Sequence, residues 1–115
     1  MAALITTTRE VGQITMVDLS GRIALGEGSA LLRKTIRDLL EGGRTNIILN
    51  LGDINYIDSS GIGELMTTYT SVKNQGGELK LLNLHKNVRN LLQVTRLYTV
   101  FDVQEDLNTA IRAFA

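Results

Sequence analysis

Apolar residues return along this chain with two different periods, and each change of period marks an element. In ITMVDLSGRIAL (14 to 25) they alternate: Val17 and Leu19 share one side and Ile14 and Met16 the other, the signature of extended chain. The pattern predicts two short strands around Ser20-Gly21, with residues 4 to 9 as an edge strand before them. From Ser29 to Glu41 the period lengthens to that of a helix. Leu32, Ile36, Leu39 and Leu40 fall on one stripe while Arg33, Lys34, Arg37 and Asp38 fall elsewhere as a solvated charged face, and Gly42-Gly43 ends the helix. NIILNL (46 to 51) is one continuous apolar run, as expected of a strand covered on both faces in a parallel sheet. Ile62, Leu65, Met66, Tyr69 and Val72 then stripe a second helix that stops at Gly76-Gly77. LKLLNL (79 to 84) predicts another covered strand, and Val88, Leu91, Leu92 and Thr95 a short third helix. TVFDV (99 to 103) predicts a last short strand, and Leu107, Ala110, Ile111 and Phe114 a terminal helix.

Strands that alternate with helices in this way predict an α/β domain whose later strands run parallel and connect through right-handed crossovers. At 115 residues, with no linker, repeat or low-complexity tract, the chain reads as one domain over 1–115. Proline is absent, so the turns rest on Gly, Asn and Asp.

Composition narrows the function. Hydrophobic residues make up 43%, enough for a core without staples, and no cysteine is present, which excludes disulfides and thiolate chemistry. Twelve basic and twelve acidic residues cancel, giving no electrostatic reason to expect nucleic acid or an anionic membrane as partner. The single histidine, His85, excludes a metal site built from several histidines and reads as a surface loop residue. The first residues, MAALITTTREVG, lack the features of a signal peptide, and no apolar run approaches the roughly 20 residues of a membrane span. The expectation is a cytoplasmic protein with no membrane insertion.

The segment INYIDSSGIGELM (54 to 66) carries the candidate chemistry. It joins the end of a covered strand to the start of a helix, where α/β folds place their sites. Asp58, Ser59 and Ser60 are each good helix caps, and capping alone is one reading of them. A second reading starts from excess: three capping residues stand where one suffices, and Gly61 and Gly63 cost helix stability in the first turn. Glycines there leave backbone N–H groups approachable at the positive end of the helix dipole, and a spare hydroxyl at that end suits a phosphate.

Enzyme readings find little support. The serines do not sit in G-x-S-x-G, no lysine follows the glycines as a P-loop requires, and Gly26-Glu27-Gly28 is too short for a nucleotide fingerprint. No catalytic residue and no cofactor are expected.

DSSGIGEL, preceded by IILNL and followed by an amphipathic helix and GGELKLLNL, resembles the STAS domains, most closely the stand-alone bacterial anti-sigma factor antagonists. The likeness runs from about Thr8 to Ala113. It implies a mixed central β-sheet with about four α-helices packed against it. It also implies that Ser60, the serine before the first glycine, is phosphorylated by a partner kinase that is also an anti-sigma factor, of the histidine-kinase-like ATPase type, and that a serine phosphatase resets it. Asp58, Ser59, Gly61, Ile62, Gly63, Glu64 and Thr67 then form the phosphosite environment and partner-binding patch. Two positions depart from the family pattern: Ala24 and Asn50 stand where many antagonists carry aspartate, each removing negative charge near the expected phosphate. The alternative within the same fold is an adapter with no phosphate cycle, for example a subunit of an ABC-type transport ATPase.

Overall fold

Strand β1 (Leu4–Val11) turns back on itself through Gly12, at φ 64, into strand β2 (Ile14–Ile23), with Val11 opposite Ile14. That left-handed φ is open to glycine at little cost, which fits the two-residue turn. The computed structural model describes residues 4–114, so the outermost positions of the predicted 1–115 domain lie outside it.

After the hairpin the chain winds regularly. Helix α1 (Glu27–Glu41) leads to strand β3 (Asn46–Ile57), helix α2 (Ser59–Asn74) to strand β4 (Glu78–Leu82), and helix α3 (Lys86–Val94) to strand β5 (Asp102–Gln104), before helix α4 (Leu107–Arg112). The five strands lie in the sheet in chain order, with β1 antiparallel to β2 and all later neighbours parallel. This is the mixed sheet with four helices expected of the α/β class.

The alternation in β2 divides the core as the pattern predicts. Val17 and Leu19 join the larger cluster with Leu32 and Ile36 of α1, Leu65 and Val72 of α2, and Val88 and Leu92 of α3. Ile14 and Met16 join the smaller one on the opposite face, with Ile48, Leu82 and Ala110 of α4. Burying a side chain of this kind stabilises by roughly 1.5–3 kcal/mol, so the larger cluster anchors three helices to one side of the sheet.

Several element boundaries differ from the sequence expectations, among them α4, which ends at Arg112 and leaves Phe114 outside the helix. Ser20-Gly21 is not a turn: β2 passes through it as one strand, and register shifts flank it at Asp18/Ser20 and Gly21/Arg22, with Gly21 at φ 109. The glycine bends the strand without ending it. Strand β3 does not stop at Leu51 but continues to Ile57, paired with β4 only as far as Asn50 and with β2 to its end. The extension buries Leu51, Ile54 and Ile57 at intervals of three, a spacing that reads as neither strand nor helix. Strand β4 ends at Leu82, before Asn83 at φ 61. Strand β5 is only Asp102–Gln104, because Phe101 serves packing: it is buried and its ring meets Tyr69 edge to face at 5.7 Å.

Candidate functional site

The site is built on one carboxylate. Strand β3 ends at Ile57, and Asp58 caps α2 from extended backbone, φ −107. Its Oδ1 accepts from the Gly61 N–H at 2.8 Å, and its Oδ2 accepts from the Leu25 N–H at 3.0 Å. Asp58 therefore clips the first turn of α2 to the loop between β2 and α1. The backbone N–H groups of Leu25 and then Gly61 hold its carboxyl below the usual carboxylate range, against a smaller opposing effect of burial.

Gly61 is glycine for a different reason than an open anion site. Its N–H is occupied by Asp58, and a Cβ there would lie 2.0 Å from the Ile23 carbonyl oxygen and 2.7 Å from Ile57 Cγ1. The helix start rests directly on the end of β2, which only a residue without a side chain permits. Gly63 is the opposite case, exposed with open space around it.

Among the three capping candidates Asp58 does the capping, which leaves both serines inside the helix. Ser59 is exposed. Ser60 is half-buried and faces α1, with its Oγ 3.3 Å from Ser29 Oγ. Ser29 is buried, and its hydroxyl donates to the Ala24 carbonyl at 2.9 Å. A carbonyl only accepts and a hydroxyl has one proton, so Ser60 is the donor in the serine pair.

The rest of the predicted patch divides between core and surface. Ile62 is 8% exposed and belongs to the main core. Glu64, only 6% exposed, does not present a bare charge: its Oε1 accepts from Arg33 Nη2 at 2.7 Å and Nε at 3.1 Å. Thr67 is exposed and its Oγ1 donates to the Gly63 carbonyl at 3.0 Å. The surface beside Ser60 is therefore Ser59, Gly63 and Thr67.

Leu25 was not among the predicted site residues. It is 82% exposed, and Asp58 fixes its backbone beside the serine turn. Its signal in the sequence was an apolar residue in GRIALGEG that belongs to neither stripe. Ser29 was missed as well; Arg33 is exposed, as its charged face predicts, but its pairing with Glu64 was not foreseen.

His85 is exposed at the start of α3, and among the described residues no hydrogen bond joins it to either serine. Of the two departures from the family pattern, Ala24 lies at the site and its carbonyl holds Ser29. Asn50 does not: its amide donates to Asp18 at 2.8 Å, and its oxygen accepts from the Gly52 N–H at 3.0 Å and from Asn83 at 3.4 Å, sharing no partner with the serine turn. No helix among the described residues is long and apolar enough to cross a membrane.

Comparison with known proteins places the chain in a family and agrees with its fold. The STAS domain family model matches residues 6–110. The anti-sigma-B factor antagonist of Bacillus subtilis (strain 168) is 34% identical over 87 residues, which span 76% of this chain and 78% of that protein. Two solved structures share the fold. An anti-sigma factor antagonist from Mycobacterium paratuberculosis superposes with TM-score 0.86 at 18% identity, covering 98% of this chain and 95% of the other. The Bacillus cell fate determinant SpoIIAA in its phosphorylated form superposes with TM-score 0.72 at 21% identity, covering 94% and 98%.

Proposed function

The chain belongs to the STAS domain family, among its anti-sigma factor antagonists, and from that membership and the geometry of the serine turn we propose that it is a partner-switching regulator controlled at Ser60. Unmodified, it binds a protein that is both an anti-sigma factor and a serine kinase of the histidine-kinase-like ATPase type. The kinase passes the γ-phosphoryl group of a nucleoside triphosphate to Ser60 Oγ. The new O–P bond forms as the bridging P–O bond breaks, the diphosphate leaves, and the hydroxyl proton goes to a base of the kinase. A serine phosphatase reverses the modification by hydrolysis.

The observation that carries this reading is the placement of Ser60. It sits in the first turn of α2, half-buried, beside the exposed Leu25 on a platform that Asp58 clips in place. Leu25, Ser59, Gly63 and Thr67 offer a partner a small surface without formal charge. A phosphate there adds about −1.5 to −2 charges at neutral pH and would have to be desolvated under a docked partner. Inverting a binding equilibrium from 99:1 to 1:99 takes about 5.5 kcal/mol, a scale that one buried dianion reaches. The positive end of α2 steadies the added charge, so the domain need not refold to take it.

Phosphosite mapping on protein from its own cells, together with retention of the co-purified kinase before and after ATP, tests the proposal. Wild type should carry phosphate on Ser60 and release its partner with ATP. Ser60→Ala should keep the partner, and Ser60→Asp should fold but bind at least tenfold more weakly. Ser60 free of phosphate under every condition, with ATP releasing wild type and Ser60→Ala alike, favours the adapter without a phosphate cycle.

A further inference from the structure

Helices α1 and α2 run parallel, and their facing side chains meet in rungs one turn apart. In the first rung Ser60 donates to Ser29 at 3.3 Å. Four residues on in each helix, Arg33 donates to Glu64. One turn further along α2 stands Thr68, only 2% exposed. The Thr68 hydroxyl and the second Glu64 oxygen, Oε2, are both buried without a hydrogen-bond partner among the described residues. These groups border a groove of about 720 Å³ that also takes in Ile36, Arg37 and Leu40. Two buried polar atoms left unpaired one turn apart are costly and call for an explanation. Arg33 adds to the question. It spends two N–H groups on a single carboxylate oxygen, although its fork suits two, and it is 58% exposed and free to turn.

We propose that a phosphoryl group on Ser60 is held by α1, with the Ser29 hydroxyl donating to it and the Arg33 guanidinium leaving Glu64 for it, while Glu64 takes its replacement hydrogen bond from Thr68. The proposal rests on the reading of Ser60 as the modified residue. Proton accounting begins the argument. A phosphate ester oxygen has no proton to donate, so modification ends the bond from Ser60 to Ser29. Ser29 can then turn its own proton from Ala24 to the phosphate. The Ala24 carbonyl is not orphaned by this, because it also accepts from the Ser29 N–H at 3.1 Å.

Reach comes next. Four residues rise about 6 Å along a helix, so the guanidinium lies one turn from the Ser60 hydroxyl, a gap that a phosphate and a flexible arginine close between them. Arg37 stands a further turn away. A phosphate dianion offers the arginine fork two oxygens and more charge than the single carboxylate oxygen it now holds. Glu64 is then buried without its cation, and Thr68 is the donor one turn away with its proton uncommitted. The two atoms unpaired in the unmodified protein are each other's partners in the modified one. Phosphorylation thereby alters the α1–α2 groove as well as the outer surface.

The full chain with phosphoserine inserted at position 60 during translation tests this without any kinase. On modification the Arg33 Nε–H and Glu64 carboxyl NMR signals should both move, and the Thr68 signals with them. The second ionisation of the phosphate, ordinarily near pH 6, should lie lower in wild type than in Arg33→Gln by roughly half a unit, with Arg33→Lys between them. Ser29→Ala should raise it as well. Arg33 and Glu64 signals unmoved by phosphorylation overturn the proposal, and that readout needs no variant. An equal phosphate midpoint in wild type, Arg33→Gln and Ser29→Ala overturns it too. Expected shifts in this protein, with no Ser60 phosphate found in cells, would instead retire the switching function and leave the phosphate-binding geometry standing.

Discussion

Gly61 and Gly63 are neighbours in one helical turn with opposite surroundings, and a methyl group separates their roles. At Gly61 it would meet the Ile23 carbonyl at 2.0 Å, a backbone atom that cannot swing aside. Gly61→Ala should cost about 2–3 kcal/mol, in the range of overpacked cores. At Gly63 the methyl meets nothing within 4 Å. Gly63→Ala should stabilise the protein by about 0.5–1 kcal/mol, the helix-propensity difference. Urea unfolding of both variants checks the contrast, and equal effects would mean that α2 does not rest on β2 as described. The sequence showed the two glycines as a matching pair at a helix start. It could not separate them, because the atom that decides Gly61 lies 38 positions earlier, in β2. Arg33 and Glu64 are similar. Each has an ordinary place on its own helix, and only their pairing across 31 positions reveals a rung.

Between elements, the joints are held by aspartates. Asp58 ties α2 to the β2–α1 loop, and Asp106 caps α4 through the Thr109 N–H at 3.0 Å. Backbone N–H groups, from Leu25 and Gly61 in one case and Thr109 in the other, hold both carboxyls below their usual range. A carboxyl whose folded pKa lies below its unfolded value of about 3.9 stabilises the fold fully above that value, and the contribution disappears as the pH falls through the folded pKa. The urea midpoint should therefore be level above about pH 5 and fall from about pH 4 downward. Asp58→Asn should be less stable at neutral pH and show a shallower acid slope, and an unchanged slope would remove Asp58 from this role. Element order was legible because the period of the apolar residues switches cleanly between β2, α1 and β3. The far half of β3 was not, because Leu51, Ile54 and Ile57 follow a strand bent by the irregularities opposite it in β2.

For the molecule as a whole, the sheet face under α4 encloses one buried cation. Lys80 is 2% exposed, with Nζ 2.5 Å from Asp102 and 4.7 Å from the centre of the Phe114 ring. Burial alone would raise the Asp102 carboxyl, but hydrogen bonds from Lys80 and Gln104 outweigh it and hold the group below its usual range. Asp102→Ala should cost about 1–2 kcal/mol by leaving the buried Lys80 only its longer contact with Glu78 at 3.6 Å, short of a fully buried pair because Asp102 is 43% exposed. Lys80→Met, which removes the charge and keeps the length, should be neutral or stabilising. Thermal unfolding of both variants tests the pair, and a large loss for Lys80→Met would show that the charge itself is needed. Phe114 was expected on the stripe of the terminal helix, but α4 ends at Arg112 and Phe114 reaches the sheet from beyond it. That it covers a lysine was not legible, since β4 reads as an apolar run in which Lys80 is the exception.

Strands laid down in the order of the chain also set a sequence in time. As the polypeptide leaves the ribosome, each new strand meets a neighbour already made, and no gap must be held open for a later arrival. The inner side, with its three helices, closes progressively. The other side waits: Met16 and Ile48 gain their cover from α4 and Lys80 from Phe114, both of which follow the five strands. Covering that smaller apolar face is thus left until every strand is in place, and a ribosome stalled just short of that step would leave it open for chaperones to shield.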